Sequence, residues 1–129
     1  MPGHADTIRH LYAAFSHGDV PGVLAALAPD VRWTEAEGFP YGGTYIGRDA
    51  VLQHVFMKLG SEWDGYAAVP HELVTDGVPV VALGQYSGTF KATGKSFRAP
   101  FAHVWKFSGD LVGAFVQHTD TAIVQRVLR

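Results

Sequence analysis

Glu35 stands where a carboxyl group could move protons. In the run Asp30-Val31-Arg32-Trp33-Thr34-Glu35, strand alternation sets Trp33 and Glu35 on the same face. A carboxyl walled by indole and other rings holds its proton more tightly than one in water, which suits it to shuttle a carbon-bound proton near neutral pH. The competing reading is a glutamate at a strand end that is exposed or paired with Arg32. His103 is the second candidate. Between 95 and 107, alternation places Phe97, Ala99, Phe101, His103, Trp105 and Phe107 on one side, and Arg98, Pro100, Ala102, Val104 and Lys106 on the other. The aromatic side needs apolar cover, so His103 points inward among rings. There it either stabilises a developing enolate oxygen or is a core histidine with satisfied nitrogens. Asp120 is the third candidate, as a pocket acid or as the N-cap of the helix that starts at Thr121.

Around these three, Trp33, Phe56, Phe101 and Trp105 are expected as walls of a substrate cavity, with Tyr45 or Gln117 adding a hydrogen-bond donor. His118 is a weaker candidate for the same wall. On its strand, Val116, His118 and Asp120 share one parity and Phe115, Gln117 and Thr119 the other, and the pattern leaves open which set faces inward. The absence of cysteine removes thiol chemistry and disulfides. His103, His118 and a carboxylate lack the tight spacing of a metal site, so no metal and no cofactor are expected. The glycine-rich run from Tyr41 to Gly47 lacks the Gly-Lys-Ser/Thr ending of a phosphate cradle and reads as a mobile pocket lip. No Gly-x-Ser-x-Gly elbow is present.

The elements that must position these groups are legible in outline. Ile8, Leu11, Tyr12 and Phe15 recur at helical spacing, with Asp6 expected to cap that helix and Gly18 to end it. Asp19 should cap a short second helix presenting Val23, Leu24 and Leu27, stopped by Pro29, with a strand following from Val31 to Glu35. A third helix is expected from Asp49, burying Val51, Leu52, Val55, Phe56 and Leu59. From Tyr66 the pattern turns to strands, with turns at Asp76-Gly77, Thr93-Gly94 and Ser108-Gly109-Asp110. The strands after the first turn run roughly over 78–90, 95–107 and 110–119, before a last helix over about 121–128. The 129 residues form one α+β domain, 1–129, with helices on one face of a curved antiparallel sheet. A hydrophobic content of 47% excludes disorder, and a net charge of −2 with scattered cations argues against nucleic acid. No segment has membrane-spanning length or a leader pattern, so a cytoplasmic protein is expected.

The order of Gly18-Asp19, the Asp30–Glu35 strand, Tyr41-x-Gly43-x-Tyr45-x-Gly47, Ala99-Pro100-x-x-His103 and Phe115-x-x-x-x-Asp120 resembles the SnoaL-like and ketosteroid isomerase-like branch of the nuclear-transport-factor-2-like (NTF2-like) superfamily. The resemblance spans nearly the whole chain. It implies a cone-shaped fold, a curved mixed or antiparallel sheet wrapped on N-terminal helices around an apolar pocket. It aligns Glu35 with the general-base position of ketosteroid isomerases, His103 with their second oxyanion-hole acid, and Asp120 with the acid/base aspartate of SnoaL-like cyclases. Leu11 takes the place of the oxyanion tyrosine, with Tyr12 one residue away. The implied function is cofactor-free isomerase-, cyclase- or dehydratase-type chemistry on a hydrophobic carbonyl or polyketide-like molecule. The alternatives are a non-catalytic small-ligand or association domain and, third, epoxide hydrolysis around Asp120. Sheet-to-sheet pairing in the superfamily implies a homodimer.

Overall fold

The computed structural model describes residues 3–75 and 79–129; the expected Asp76-Gly77 turn lies outside them. Helix α1 (His4–Ser16) buries Ile8, Leu11 and Tyr12. It ends as the glycine predicts: Gly18 takes φ 71°, its N–H bonds to Phe15 O, and Asp19 N–H reaches back to Ala14 O. Asp6 is not the cap. It lies in the first turn, 3.0 Å from exposed Arg9, while Gly3 precedes the helix. Asp19 does cap α2 (Val20–Ala25), accepting from Gly22 N–H at 3.0 Å.

Strand β1 (Leu27–Glu35) starts earlier than the proline suggested, and Pro29 sits inside it. Proline has no N–H for a ladder, and the pairing shifts register between Leu27 and Arg32, across that residue. The glycine-rich run is not a free lip: Gly43–Ile46 forms the edge strand β2, antiparallel to β1. Gly47, at φ 93°, then opens one helical stretch made of α3 (Arg48–Val51), a π-helical segment (Leu52–Phe56) and α4 (Met57–Glu62). The wider π turn brings Val55 and Phe56 together on the buried side.

Strands β3 (Trp63–Val74), β4 (Val80–Phe90), β5 (Lys95–Ser108) and β6 (Leu111–Thr119) complete a six-stranded sheet ordered β2-β1-β6-β5-β4-β3. All neighbours are antiparallel except β1 and β6, so the sheet is mixed and unclosed. Helix α5 is shorter than expected, Thr121–Gln125. Register explains the interior. Val80, Trp105, Phe115 and Trp33 form one inward row across four strands, and Ala82, His103 and Gln117 form the next. The helices cover these rows, so α1 and the α3–α4 stretch seal an aromatic core against the concave face. Among the described residues, no helix is long and apolar enough to cross a membrane.

Candidate active site

Glu35 ends β1 on the inward face and retains only 5% exposure. Its Oε2 is buried with no hydrogen-bond partner, as is the neighbouring Trp33 Nε1. Removing a carboxylate from water without a cation or donor disfavours its charged form. Burial therefore pushes the Glu35 carboxyl up to about 8, and the nearby Trp33 indole N–H only partly opposes this. The side chain is predominantly protonated at neutral pH and can still lose its proton within reach of it. Arg32 does not pair with it, since Arg32 points out of the opposite face.

Glu35 lines an interior cavity of about 40 Å³ together with Tyr12, Trp33, Phe56, Tyr86, His103 and Trp105; among the described residues, no lysine or arginine lines it. A water needs roughly 10–15 Å³ of such space, so the cavity as it stands holds a few small groups rather than a polycyclic molecule. Glu35 also borders a surface cleft formed by Thr34, Glu37–Pro40 and Gly42–Thr44. It sits at the junction of the two.

Opposite Glu35, one hydrogen-bonded chain crosses the sheet. Ala36 N–H donates to Gln117 Oε1 at 2.9 Å, which turns Gln117 Nε2 toward Tyr86 Oη, also at 2.9 Å. Tyr86 Oη meets His103 Nε2 at 2.5 Å, and His103 Nδ1 meets Tyr12 Oη at 2.5 Å. Trp105 Nε1 closes the chain, donating to Tyr12 Oη at 3.2 Å. The imidazole is 4% exposed and stacks on Phe101 with centroids 3.9 Å apart. Burial, and then the charge of His118, hold its pKa well below the usual histidine value, so the ring is neutral. Burial raises both tyrosines above their ordinary values, so their hydroxyls keep their protons.

The structure thus brings together Glu35, His103, Trp33, Phe56 and Trp105, with Phe101 beneath the imidazole and Gln117 behind Tyr86. His103 does not offer a ring nitrogen to a ligand, because hydroxyls occupy both; the groups facing outward from it are Tyr12 and Tyr86. Asp120 stays apart: it is exposed and caps α5, accepting from Ile123 N–H at 3.2 Å. Epoxide chemistry built around it loses its acid. His118 is exposed on the outer face of the sheet and shares no site with His103. Tyr45 spends its hydroxyl on Tyr41 O at 2.8 Å and lines a separate groove with His54 and Lys58. The tyrosines were the omission. Tyr12 was visible in the helical spacing of α1, whereas Tyr86, paired with Ala99, is identified only by its side chain reaching His103 on the shared inward face.

A cone-like α+β fold with a carboxyl at the end of β1 and donors across an aromatic cavity defines the NTF2-like class. The family profile described as a SnoaL-like domain matches residues 8–115, and the chain belongs to that family. An NTF2-like protein from Burkholderia thailandensis is 39% identical, with a TM-score of 0.96 over 100% of this chain and 99% of the other. An NTF2-like protein of unknown function from Burkholderia pseudomallei is 37% identical, with a TM-score of 0.89 over 98% of each chain. TerC, co-crystallised with polyporic acid, shares the fold at 23% identity, with a TM-score of 0.86 over 97% of each chain. No functionally curated protein matches the sequence.

Proposed function

We propose that the chain is a cofactor-free acid/base enzyme that moves a carbon-bound proton on a small, mainly apolar carbonyl compound. The observation that carries this reading is a buried Glu35 carboxyl, its Oε2 unpartnered and its proton poised near pH 8, in one cavity with Tyr12 and Tyr86 and with no lysine or arginine among the described residues that line it. Ionised Glu35 takes a proton from the carbon next to the carbonyl. A tyrosine hydroxyl stabilises the enolate oxygen, and protonated Glu35 returns the proton at the same or a conjugated carbon. The product is an isomer or an exchanged substrate, and no other reactant is needed. The reacting carbonyl occupies the inner cavity, and any larger remainder of the molecule lies in the cleft beyond Glu35. TerC, co-crystallised with polyporic acid, supports a small molecule as ligand.

Isomerisation of a small β,γ-unsaturated ketone such as allyl methyl ketone, followed by its rising conjugated absorbance, tests this. Wild type should exceed Glu35→Gln by at least about 10²-fold, the lower end of what positioned general acid–base groups contribute. A Glu35→Gln rate equal to wild type contradicts the assignment. The second reading, a binding domain without turnover, rests on the small size of the cavity; it predicts saturable ligand uptake with no Glu35-dependent exchange.

The chain is also proposed to act as a homodimer through the outer face of its sheet. That face exposes Val69, Val74 and Leu83 beside half-buried Val81, Ala102 and Val104.

A further inference from the structure

The hydrogen-bond chain across the sheet has a proton count with one left over. Neutral His103 carries one N–H and one bare nitrogen, and Tyr12 and Tyr86 bring one O–H each. Those three protons serve two contacts, Tyr86–His103 and His103–Tyr12. The flanking groups cannot absorb the third. Trp105 Nε1 is a donor only, Gln117 presents its NH₂ because its carbonyl already accepts from Ala36 N–H, and the Tyr66 hydroxyl beside Tyr86 donates toward it. Whichever tyrosine accepts from the imidazole keeps its own proton for the cavity that both line.

The two ends are not equivalent. Tyr86 accepts a 2.9 Å bond from Gln117, and Tyr12 a longer one of 3.2 Å from Trp105. A hydroxyl that accepts strongly becomes the better donor, because hydrogen bonds in a chain polarise one another. Tyr86 therefore gives its proton to Nε2. The imidazole then carries its proton on Nδ1 and donates it to Tyr12, whose oxygen has more capacity remaining. We infer that His103 is a positioning residue held in its Nδ1–H tautomer by the Ala36–Gln117–Tyr86 relay, and that this leaves the Tyr12 hydroxyl proton free for a ligand oxygen. The relay begins at the amide next to Glu35, so the same strand end that holds the acid/base group also orients the donor opposite it. The ligand class follows: an oxygen acceptor without a proton of its own to give, such as a ketone or an enolate. A hydroxyl or amine donor meets no free lone pair on Tyr12, which accepts from Trp105 and from the imidazole.

This inference deepens the proposed acid/base reading, yet its first test needs neither turnover nor ligand. In ¹⁵N-histidine-labelled wild type, long-range proton–nitrogen correlation should show His103 Nδ1 protonated and Nε2 bare throughout pH 6 to 8. A proton on Nε2, or on both nitrogens, overturns it. The second test uses acetone labelled at its carbonyl carbon, whose resonance moves downfield when the oxygen accepts a hydrogen bond. Wild type should give a saturable downfield shift. Tyr12→Phe should lose it, because that hydroxyl is gone and Tyr86 spends its proton on Nε2. No shift in wild type, or a shift that persists in Tyr12→Phe, overturns the assignment. If a variant fails to fold, the tautomer measured on the unmodified chain still decides. If Glu35→Gln leaves isomerisation untouched while the tautomer is as stated, the acid/base reading fails and the positioning role stands.

Discussion

At the scale of the residue, Glu35 trades stability for poise. Its proton is held more tightly in the folded chain than in the unfolded one, where a carboxyl sits near 4.5. Its contribution is thus complete below that value and is lost as pH rises toward about 8. At about 1.4 kcal/mol per unit the loss is on the order of 4–5 kcal/mol. His103 has the opposite sign: its pKa is depressed, so stability falls as pH drops below its unfolded value of 6.5. Of these two groups, only Glu35 acts between 6.5 and about 8. Urea unfolding across that interval should show wild type losing stability and Glu35→Gln holding constant; matching slopes in the two proteins contradict the buried carboxyl. The same ionisation sets activity. With Glu35 as base, kcat/KM should rise roughly tenfold per pH unit toward about 8 and then level, and a profile flat from 6 to 9 would count against it. Glu35 and the inward turn of His103 were legible from alternation alone. The role of His103 was not, because its partners Tyr12 and Tyr86 lie 91 and 17 residues away in sequence.

At the scale of the element, local chemistry fixed the ends that carry their own signal. Asp19 and Asp120 cap their helices because a short acceptor precedes each, and Gly18 ends α1 because it accepts a positive φ. Asp120→Ala should cost about 1 kcal/mol in chemical unfolding and leave isomerisation unchanged. A loss of activity at unchanged stability would return Asp120 to the chemistry. Boundaries set by partners were less legible. Pro29 reads as a helix stop, yet β1 passes through it because β6 supplies pairing on either side of the shift. Gly43–Ile46 reads as a loop and becomes a strand only because the edge of β1 is open to it. Gly84 shows the same dependence on neighbours. A Cβ there would lie 2.2 Å from Val69 O and 2.6 Å from Phe101 Cζ, so Gly84→Ala should destabilise the fold by roughly 1–3 kcal/mol. Since Phe101 supports the His103 ring, that variant should also disturb the imidazole resonances; an unchanged melting temperature contradicts the close approach.

At the scale of the whole molecule, the periodicities defined an α+β domain with helices over a curved sheet, but not its connectivity. The parallel contact of β1 with β6 joins the first strand to the last and is invisible to local pattern. It nevertheless makes the site, by seating Trp33 on Phe115 at 3.9 Å and bringing Ala36 to Gln117. The outer face offers a prediction of its own. Sedimentation should report a dimer for wild type and a monomer for Leu83→Asp/Val104→Asp, with Glu35 ionisation unchanged; a monomeric wild type removes the dimer from the account. The central claim is that folding strips Glu35 of water and leaves it without a cation beside it. Carboxyl-carbon NMR, titrating Glu35 in the intact chain against Glu35→Gln as the assignment control, tests it most directly. A midpoint near 8 is predicted; a midpoint near the ordinary glutamate value of about 4.3 would contradict it.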